Sequence, residues 1–337
     1  MARITIRDVA RMAGVSPTAV SFVINDRPGV SEAKRQEIKR IIERTGFRPS
    51  VSASRLVYKR SFNIALDMHD LGASLEDLFY VSIIRGLLKK SKAYGYNIVF
   101  AEIDETKNEV LLPNIIRNHD TDGIILIQSP SLAVLKTLND LDIPFVAIDV
   151  HEKDPPFTSI CVDYELASYI STNHLIENGH RKIAYIGKSS VPHFYLQTFQ
   201  GFCRAAEKYN ISIPPDWIQI TAYNEESAYN CMASILSGSK IPTAVFCAVD
   251  SFALGAMKCA YDKGYQVPKD ISFSGIDNIT FSSYFKPPLT TVAIDKEQIG
   301  ALAMDMIVKK IAGKPVESIT VRSDNLIVRD SVYRIME

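Results

Sequence analysis

The sequence predicts a small, basic, all-helical headpiece joined by a linker to an α/β body of two parallel-sheet lobes. Charge makes the first division. Residues 1–60 carry thirteen Lys/Arg and five Asp/Glu, a net +8, against −8 for the remainder of a chain that is neutral overall. Apolar spacing makes the second: it is helical over residues 4–46, then alternates between short β-rich runs and longer amphipathic stretches. Length agrees, since 337 residues at roughly 100–200 per domain make two or three domains. A basic head on an acidic body is the charge footprint of a nucleic-acid-binding module. The alternative is a merely solvated basic helix face, and the pattern inside the head decides between them.

Ile6, Val9, Ala10 and Ala13 fall at i, i+3, i+4 and i+7, the apolar stripe of a short helix that Gly14 can end in the left-handed region. Ser16 followed by Pro17 starts a second helix, with an N-capping oxygen and then a proline at the first helical position. Its buried side is Ala19, Val20, Val23 and Ile24, and it ends near Asn25. Two short helices about a tight glycine turn make a helix-turn-helix. A third helix starts at the Ser31 cap, buries Ile38, Ile41 and Ile42, and stops at Gly46. The domain closes at residue 47. Residues 48–60, RPSVSASRLVYKR, are serine-rich and basic with no apolar face to bury, and they read as a linker.

From residue 61 the runs NIALDM, NIVFAE, GIILIQ and FVAID alternate with helical segments around 79–93, 105–118 and 131–140. A second set, KIAYIG, WIQIT, AVFCA and ISFSGI, repeats the pattern. Alternating strand and helix implies parallel sheets with helices on both faces, and two sets imply two lobes. Pro113 falls inside the second helical segment, which must be kinked or start late.

Several function classes are excluded. With 47% hydrophobic and 23% charged residues the composition is that of a soluble globular protein, and no run of ~18 apolar residues would span a membrane. The start, MARITIRDVARMAG, is charged where a signal peptide needs an apolar run, so export is not expected and the location is read as cytoplasmic. The five cysteines (Cys161, Cys203, Cys231, Cys247, Cys259) are odd in number and have no CxxC spacing. They read as buried thiols in a reducing compartment, not as a disulfide frame or zinc site. GxGxxG, P-loop, GxSxG and HExxH motifs are missing, and the six histidines pair with no carboxylate or cysteine at a ligand spacing. No enzyme activity, cofactor or metal is expected.

The wording of the head adds a resemblance. Residues 4–26, ITIRDVARMAGVSPTAVSFVIND, and the continuation GVSEAKRQEIKRIIERTGFRPSVSASRL resemble the lac repressor family of bacterial transcription regulators. TDGIIL, HLIENGHRKIAYIG, DSFALGAMKCA, GYQVPKDISFSGIDN and PPLTTV carry the resemblance, in order, through nearly the whole chain. It implies a homodimer on a palindromic double-stranded operator, acting as a repressor, with the second helix in the major groove. Pro17, Thr18 and Phe22 match the base-reading positions. Ser16, Ser21, Asn25 and Ser31 match phosphate contacts. Relatives often carry arginine where this chain has Phe22, so direct readout leans on thymine methyl groups, unless Phe22 turns into the small core. Over residues 48–60 the resemblance implies a hinge helix that folds on DNA. Ala53 and Leu56 sit there at its minor-groove positions, with Leu56 as the wedge unless it packs under the body.

For the body, the resemblance implies the fold of periplasmic sugar-binding proteins, with crossings between lobes near 161, 291 and 322. Lobe 1 then spans about 61–161 and 292–322, and lobe 2 about 162–291 and 323–337. A small-molecule effector, a sugar or related metabolite, would lie between the lobes. Matching positions are Phe79 and Tyr80, Asp149, Phe194, Tyr223 and Asp277; Phe79 reads equally well as core. Thr198 stands where sugar-responsive relatives have arginine and Val249 where they tend to have asparagine, which makes this pocket less polar and less basic. Control by a protein partner such as a phosphocarrier is the alternative, and a solute-binding protein is a remote one. The end of the chain at Glu337 without leucine heptads favours a dimer over a tetramer.

Overall fold

The computed structural model describes residues 4–24, 26–47, 60–68, 77–105, 109–151, 155–188, 192–221 and 224–335. The chain divides into two compact units between Ser61 and Phe62.

The first unit has three helices, α1 (Ile6–Ala13), α2 (Pro17–Ile24) and α3 (Glu32–Thr45). Thr5 and Asp8 form a reciprocal capping box at the start of α1, and Gly14 ends that helix at φ 62°. Val9, Ala10, Ala13, Val20, Val23, Ile38 and Ile41 meet in one core, which Phe47 closes from beyond α3. Ala19, Ile24 and Ile42, expected inside, are only half-buried, because so small a core covers one side of each apolar stripe. Arg35 ties α3 to the preceding turn, with Nη1 2.9 Å from Asp26 Oδ1 and Nη2 donating to the Arg27 carbonyl at 2.6 Å.

The second unit is built on two six-stranded sheets. The first contains β1 (Asn63–Met68), β2 (Asn97–Phe100), β5 (Gly123–Ile127), β6 (Phe145–Val150), β7 (Ser159–Val162) and β13 (Ile319–Val321), in the order β13-β7-β6-β5-β1-β2. All its pairings are parallel. The second contains β8 (Ile183–Lys188), β9 (Ile218–Thr221), β10 (Ala244–Cys247), β11 (Ser272–Asp277), β12 (Thr290–Ala293) and β14 (Asn325–Ile327), in the order β14-β12-β11-β10-β8-β9. Only β14 runs antiparallel to its neighbour there. The central strands β5, β6, β10 and β11 are buried at every position, as parallel strands covered on both faces must be.

In the first lobe, α4 (Leu78–Tyr94) packs against α11 (Lys296–Ile311), and α6 (Leu132–Asp140) lies on the opposite face. The α4–α11 contact is close enough to require glycine: a Cβ on Gly300 would sit 2.1 Å from the Ile83 carbonyl oxygen, and one on Gly86 2.1 Å from that of Glu297. In the second lobe, α7 (Tyr164–Glu177) packs on α8 (Pro192–Lys208), and α9 (Glu225–Leu236) on α10 (Asp250–Asp262). The chain leaves the first sheet after Val162, returns to that lobe at Lys296 after β12, and crosses again between Val321 and Asn325.

The helix expected over 105–118 is not formed. Asp104–Glu105 (β3) and Val110–Leu111 (β4) pair as a short antiparallel ladder, and helix is confined to α5 (Asn114–Arg117), just after Pro113. Proline disfavours helical backbone at the residue before it, so the apolar run at 110–112 stays extended.

Candidate nucleic-acid interface and ligand cleft

In the head, the first turn of α2 is open to solvent. Ser16, Pro17 and Thr18 are exposed, while Val20 and Val23 on the other side of the same helix are buried. The helix is thereby held by its core face with its start free. Ser16 has a structural task as well, since its Oγ accepts from the Ala19 amide at 3.2 Å and caps α2. Ser31 stands at the N-cap of α3 with extended backbone, but its exposed side chain makes no capping hydrogen bond. Ser21 is half-buried. Phe22 is also half-buried, with its ring edge over Gly29, where an added Cβ would lie 3.1 Å from Phe22 Cδ2. Phe22 therefore lies neither wholly in the core nor wholly outside it. Asn25, Ala53 and Leu56 lie outside the described residues.

In the body, Phe79, Tyr80, Asp149, Phe194 and Asp277 all stand at the facing ends of the two lobes, and Tyr223 lies outside the described residues. Phe79 and Tyr80 are in the first turn of α4, whose start is capped by Asp77 accepting from the Phe79 amide at 2.9 Å. Asp149 ends β6 and Asp277 ends β11, at the carboxyl edges of their sheets. Phe194 belongs to the first turns of α8.

Sequence reasoning missed the residues that join these groups. The Asp149 carboxylate accepts from Tyr80 Oη at 2.9 Å, within lobe 1, and from Tyr164 Oη at 3.0 Å, across from lobe 2. Gln128, at the end of β5, donates to the Tyr80 hydroxyl at 2.8 Å. His151 brings Nε2 to 3.6 Å from Asp149 Oδ2, and its ring lies 5.4 Å from Phe194 and 5.5 Å from Tyr164, centroid to centroid. Gln197 of α8 reaches back across the lobes to the His151 carbonyl at 2.8 Å. On the other side, Lys296 at the start of α11 donates to the Asp277 carbonyl and lies 5.8 Å from the Phe79 ring centre. None of Phe79, Tyr80, Asp149, His151, Tyr164, Phe194, Asp277 or Lys296 is more than 8% exposed.

Burial in this cluster sets the electrostatics. It would raise the Asp149 carboxyl, but His151 beside it and the hydroxyls of Tyr80 and Tyr164 outweigh that and hold it below the usual value. Burial, with Asp149 and Asp277 adding to it, pushes the Tyr164 phenol well up, so Tyr164 serves only as a donor. Burial lowers Lys296 despite Asp277, Asp250, Asp295 and Asp77 around it. Asp250, fully buried at the head of α10, is pushed up to about 6 by burial, although it accepts from Ser282, Thr291 and the Ile279 amide.

Backbone strain gathers at the same place. Among the described residues, four of the nine non-glycine positions with positive φ are Gln128, Asp149, Asp277 and Asn278, at strand ends of this cluster. Such outliers cost of order 1–3 kcal/mol each and persist where surroundings fix them, often at ligand sites. Thr198 is buried away from the cluster, its hydroxyl bonded to Tyr185 Oη at 2.9 Å and to the Phe194 carbonyl at 3.0 Å. Val249 is partly buried and packs against two apolar clusters of the body.

A helix-turn-helix head with an open second-helix start, on a two-lobed α/β body with a polar cluster between the lobes, defines a class: DNA-binding regulators with a ligand-binding type of body. Comparison with known proteins agrees. The pattern of bacterial regulatory proteins of the lacI family matches residues 5–50, and that of the periplasmic binding protein-like domain matches residues 172–332. The HTH-type transcriptional repressor PurR of Histophilus somni (strain 129Pt) is 35% identical over 97% of this chain and 98% of its own. The catabolite control protein A of Priestia megaterium is 30% identical over 94% and 95%. A solved structure of the lac repressor dimer bound to operator and the anti-inducer ONPF shares the fold, with a TM-score of 0.85 at 23% identity over 98% of this chain and 100% of that one. The chain belongs to the lacI family of bacterial regulatory proteins and is a DNA-binding transcriptional regulator. Among the described residues no helix is long and apolar enough to cross a membrane.

Proposed function

We propose that the protein is a ligand-modulated repressor that binds a pseudopalindromic operator as a homodimer and takes a small-molecule effector between its lobes. The observation that carries the DNA-binding part is the exposed start of α2, Ser16 to Thr18, held by a buried opposite face in a unit of net +8. Of the base-reading positions, Thr18 supplies a hydrogen-bonding hydroxyl, and Pro17 and the free surface of Phe22 meet thymine methyl groups. Ser16, Ser21, Asn25 and Ser31 contact phosphates, and Ala53 and Leu56 enter the minor groove at the operator centre. The effector is held by Phe79, Tyr80, Phe194, Tyr223 and Asp277, with Asp149 contributing through the tyrosines that it orders. Relatives whose names mark them as transcriptional repressors, and the lac repressor solved as a dimer with operator and anti-inducer, support this reading.

Selection of randomised duplexes by the full chain tests it, with sedimentation of the protein on the selected site. The expected result is a two-fold symmetric site with its half-sites one helical turn apart, bound by two chains. With roughly 6–10 phosphates contacted, affinity should fall with salt at a slope near −0.9 per phosphate. Binding by a single chain, or no enriched sequence at all, would refute the proposal.

A further inference from the structure

Phe22 is a large apolar side chain that the core of the head does not take in. Among the described residues that core gathers around Val9, Val20 and Ile38, with Ile24 and Val30 packed at its margin and Phe22 outside it. Phe22 stands one turn after Thr18, at i+4, on the side of α2 away from the buried Val20 and Val23. Its ring edge rests instead on the backbone of Gly29, in the turn between α2 and α3. A Cβ on Gly29 would lie 3.1 Å from Phe22 Cδ2 and 3.2 Å from Cε2, so the bare Cα leaves the ring its place. Gly29 also holds φ at 116°, which side chains of L-residues rarely allow.

The turn that carries Gly29 is anchored on both sides. Before it, the Arg27 amide donates to the Phe22 carbonyl at 2.8 Å. Arg35, on α3 and only 11% exposed, reaches Asp26 Oδ1 at 2.9 Å and donates to the Arg27 carbonyl at 2.6 Å. After it, Val30 packs against the core. Gly29 is therefore a fixed support, and the ring on it is ordered before any DNA arrives.

We infer that Gly29 is a positioning residue for base readout: its bare Cα holds the Phe22 ring against the 5-methyl group of a thymine in each half-site. The inference rests on Phe22 reading a base, as proposed above, and adds the residue that aims it. A methyl group offers no hydrogen bond to direct the contact, so discrimination depends on distance alone. A gap of about 0.5–1 Å already forfeits a quarter to a half of a dispersion contact. A ring that had to be ordered on binding would lose affinity for every base alike, whereas a ring already in place contributes its contact as discrimination.

The test uses the full chain on the selected operator, with deoxyuridine replacing each thymine in turn, so that one methyl group is the sole difference. For the native chain one such replacement per half-site should weaken binding about fourfold, the value of one buried methyl group. Phe22→Ala should abolish that loss, and Gly29→Ala should reduce it to about twofold or less at the same thymine, with other positions unaltered. If no replacement is made harmless by Phe22→Ala, the base-reading role of Phe22 falls, and the inference falls with it. If Phe22→Ala removes the loss but Gly29→Ala leaves it at its full size, the inference alone is overturned. Should Gly29→Ala bind no operator, the double variant with Phe22→Ala decides. Recovery of binding would show that the added methyl group acts through the ring, and continued failure would overturn the inference in favour of backbone strain at residue 29.

Discussion

Tyr164 makes the connection between lobes that is easiest to test. Its hydroxyl, on the helix that follows the first crossing, donates at 3.0 Å to Asp149 at the end of a strand in the other lobe. Tyr164→Phe removes one oxygen and keeps the ring that packs 4.7 Å from Phe194. A hydrogen bond to a charged acceptor contributes about 1.5–3 kcal/mol, and Asp149 Oδ1 would lose the donor that it has from the other lobe. For a body of this size about 2–4 °C accompanies each kcal/mol, so the melting temperature should fall by about 3–12 °C. The same energy shifts the balance between joined and parted lobes by roughly tenfold to a hundredfold. Calorimetry on Tyr164→Phe, Asp149→Asn and the double variant gives the coupling energy directly. Scattering of the free chain reads the lobe separation alongside. A coupling energy within about 0.5 kcal/mol of zero would show that Asp149 does not join the lobes through Tyr164.

Three further outcomes are expected. Phe22→Arg should move one position of each selected half-site toward guanine, by about 1–3 kcal/mol of discrimination, and an unchanged motif at full affinity would remove Phe22 from the interface. Gly300→Ala should lower stability by about 1–3 kcal/mol in urea unfolding, because the methyl group has no space against Ile83, and an unchanged midpoint would contradict the α4–α11 contact. His180, bonded to Thr243 and the Tyr333 carbonyl, is lowered to about 4 by burial, so the unfolded chain binds more protons and stability is lost as pH falls from about 6.5 toward 4. Asp250, raised to about 6, acts oppositely, its contribution being lost as pH rises from about 4 through 6. His180→Gln should abolish the acid-side loss, of up to about 3 kcal/mol, and leave the variant relatively more stable at pH 5 than at pH 7; an unaltered pH slope would refute the assignment.

The strands that could be read from the sequence are those buried on both faces, such as Gly123–Ile127 and Phe145–Val150, because they are continuous apolar runs. The strands at the crossings could not be read this way. Ser159–Val162 and Thr290–Ala293 are short and carry buried hydroxyls, which are acceptable only because of distant partners: the Ser318 hydroxyl for that of Ser159, and the Arg329 backbone for that of Thr290. Neither is a continuous apolar run, so neither stood among the strands read from the pattern. At 105–118 the opposite error arose, since five apolar residues at helical spacing were divided by one proline.

The site shows the same difference between local and distant information. The resemblance pointed to positions at strand ends and helix starts, and the described ones, Phe79, Tyr80, Asp149, Phe194 and Asp277, stand at the facing ends of the lobes. Their partners are separated by 46 residues for Gln197 and His151, 69 for Tyr80 and Asp149, and 19 for Lys296 and Asp277, and no periodicity encodes such pairs. A signal was nevertheless present. Tyr164 comes two residues after the strand that ends at Val162, and Lys296 three after the strand that ends at Ala293, each at a crossing between lobes. A long polar side chain at a crossing can reach groups of both lobes without spanning either. On the proposed function this placement matters, because a ligand shifts an equilibrium only through unequal affinity for its states. A ligand that takes hydrogen bonds beside Tyr164 and Lys296 acts on the residues that tie one lobe to the other, so its binding energy is expressed as lobe geometry.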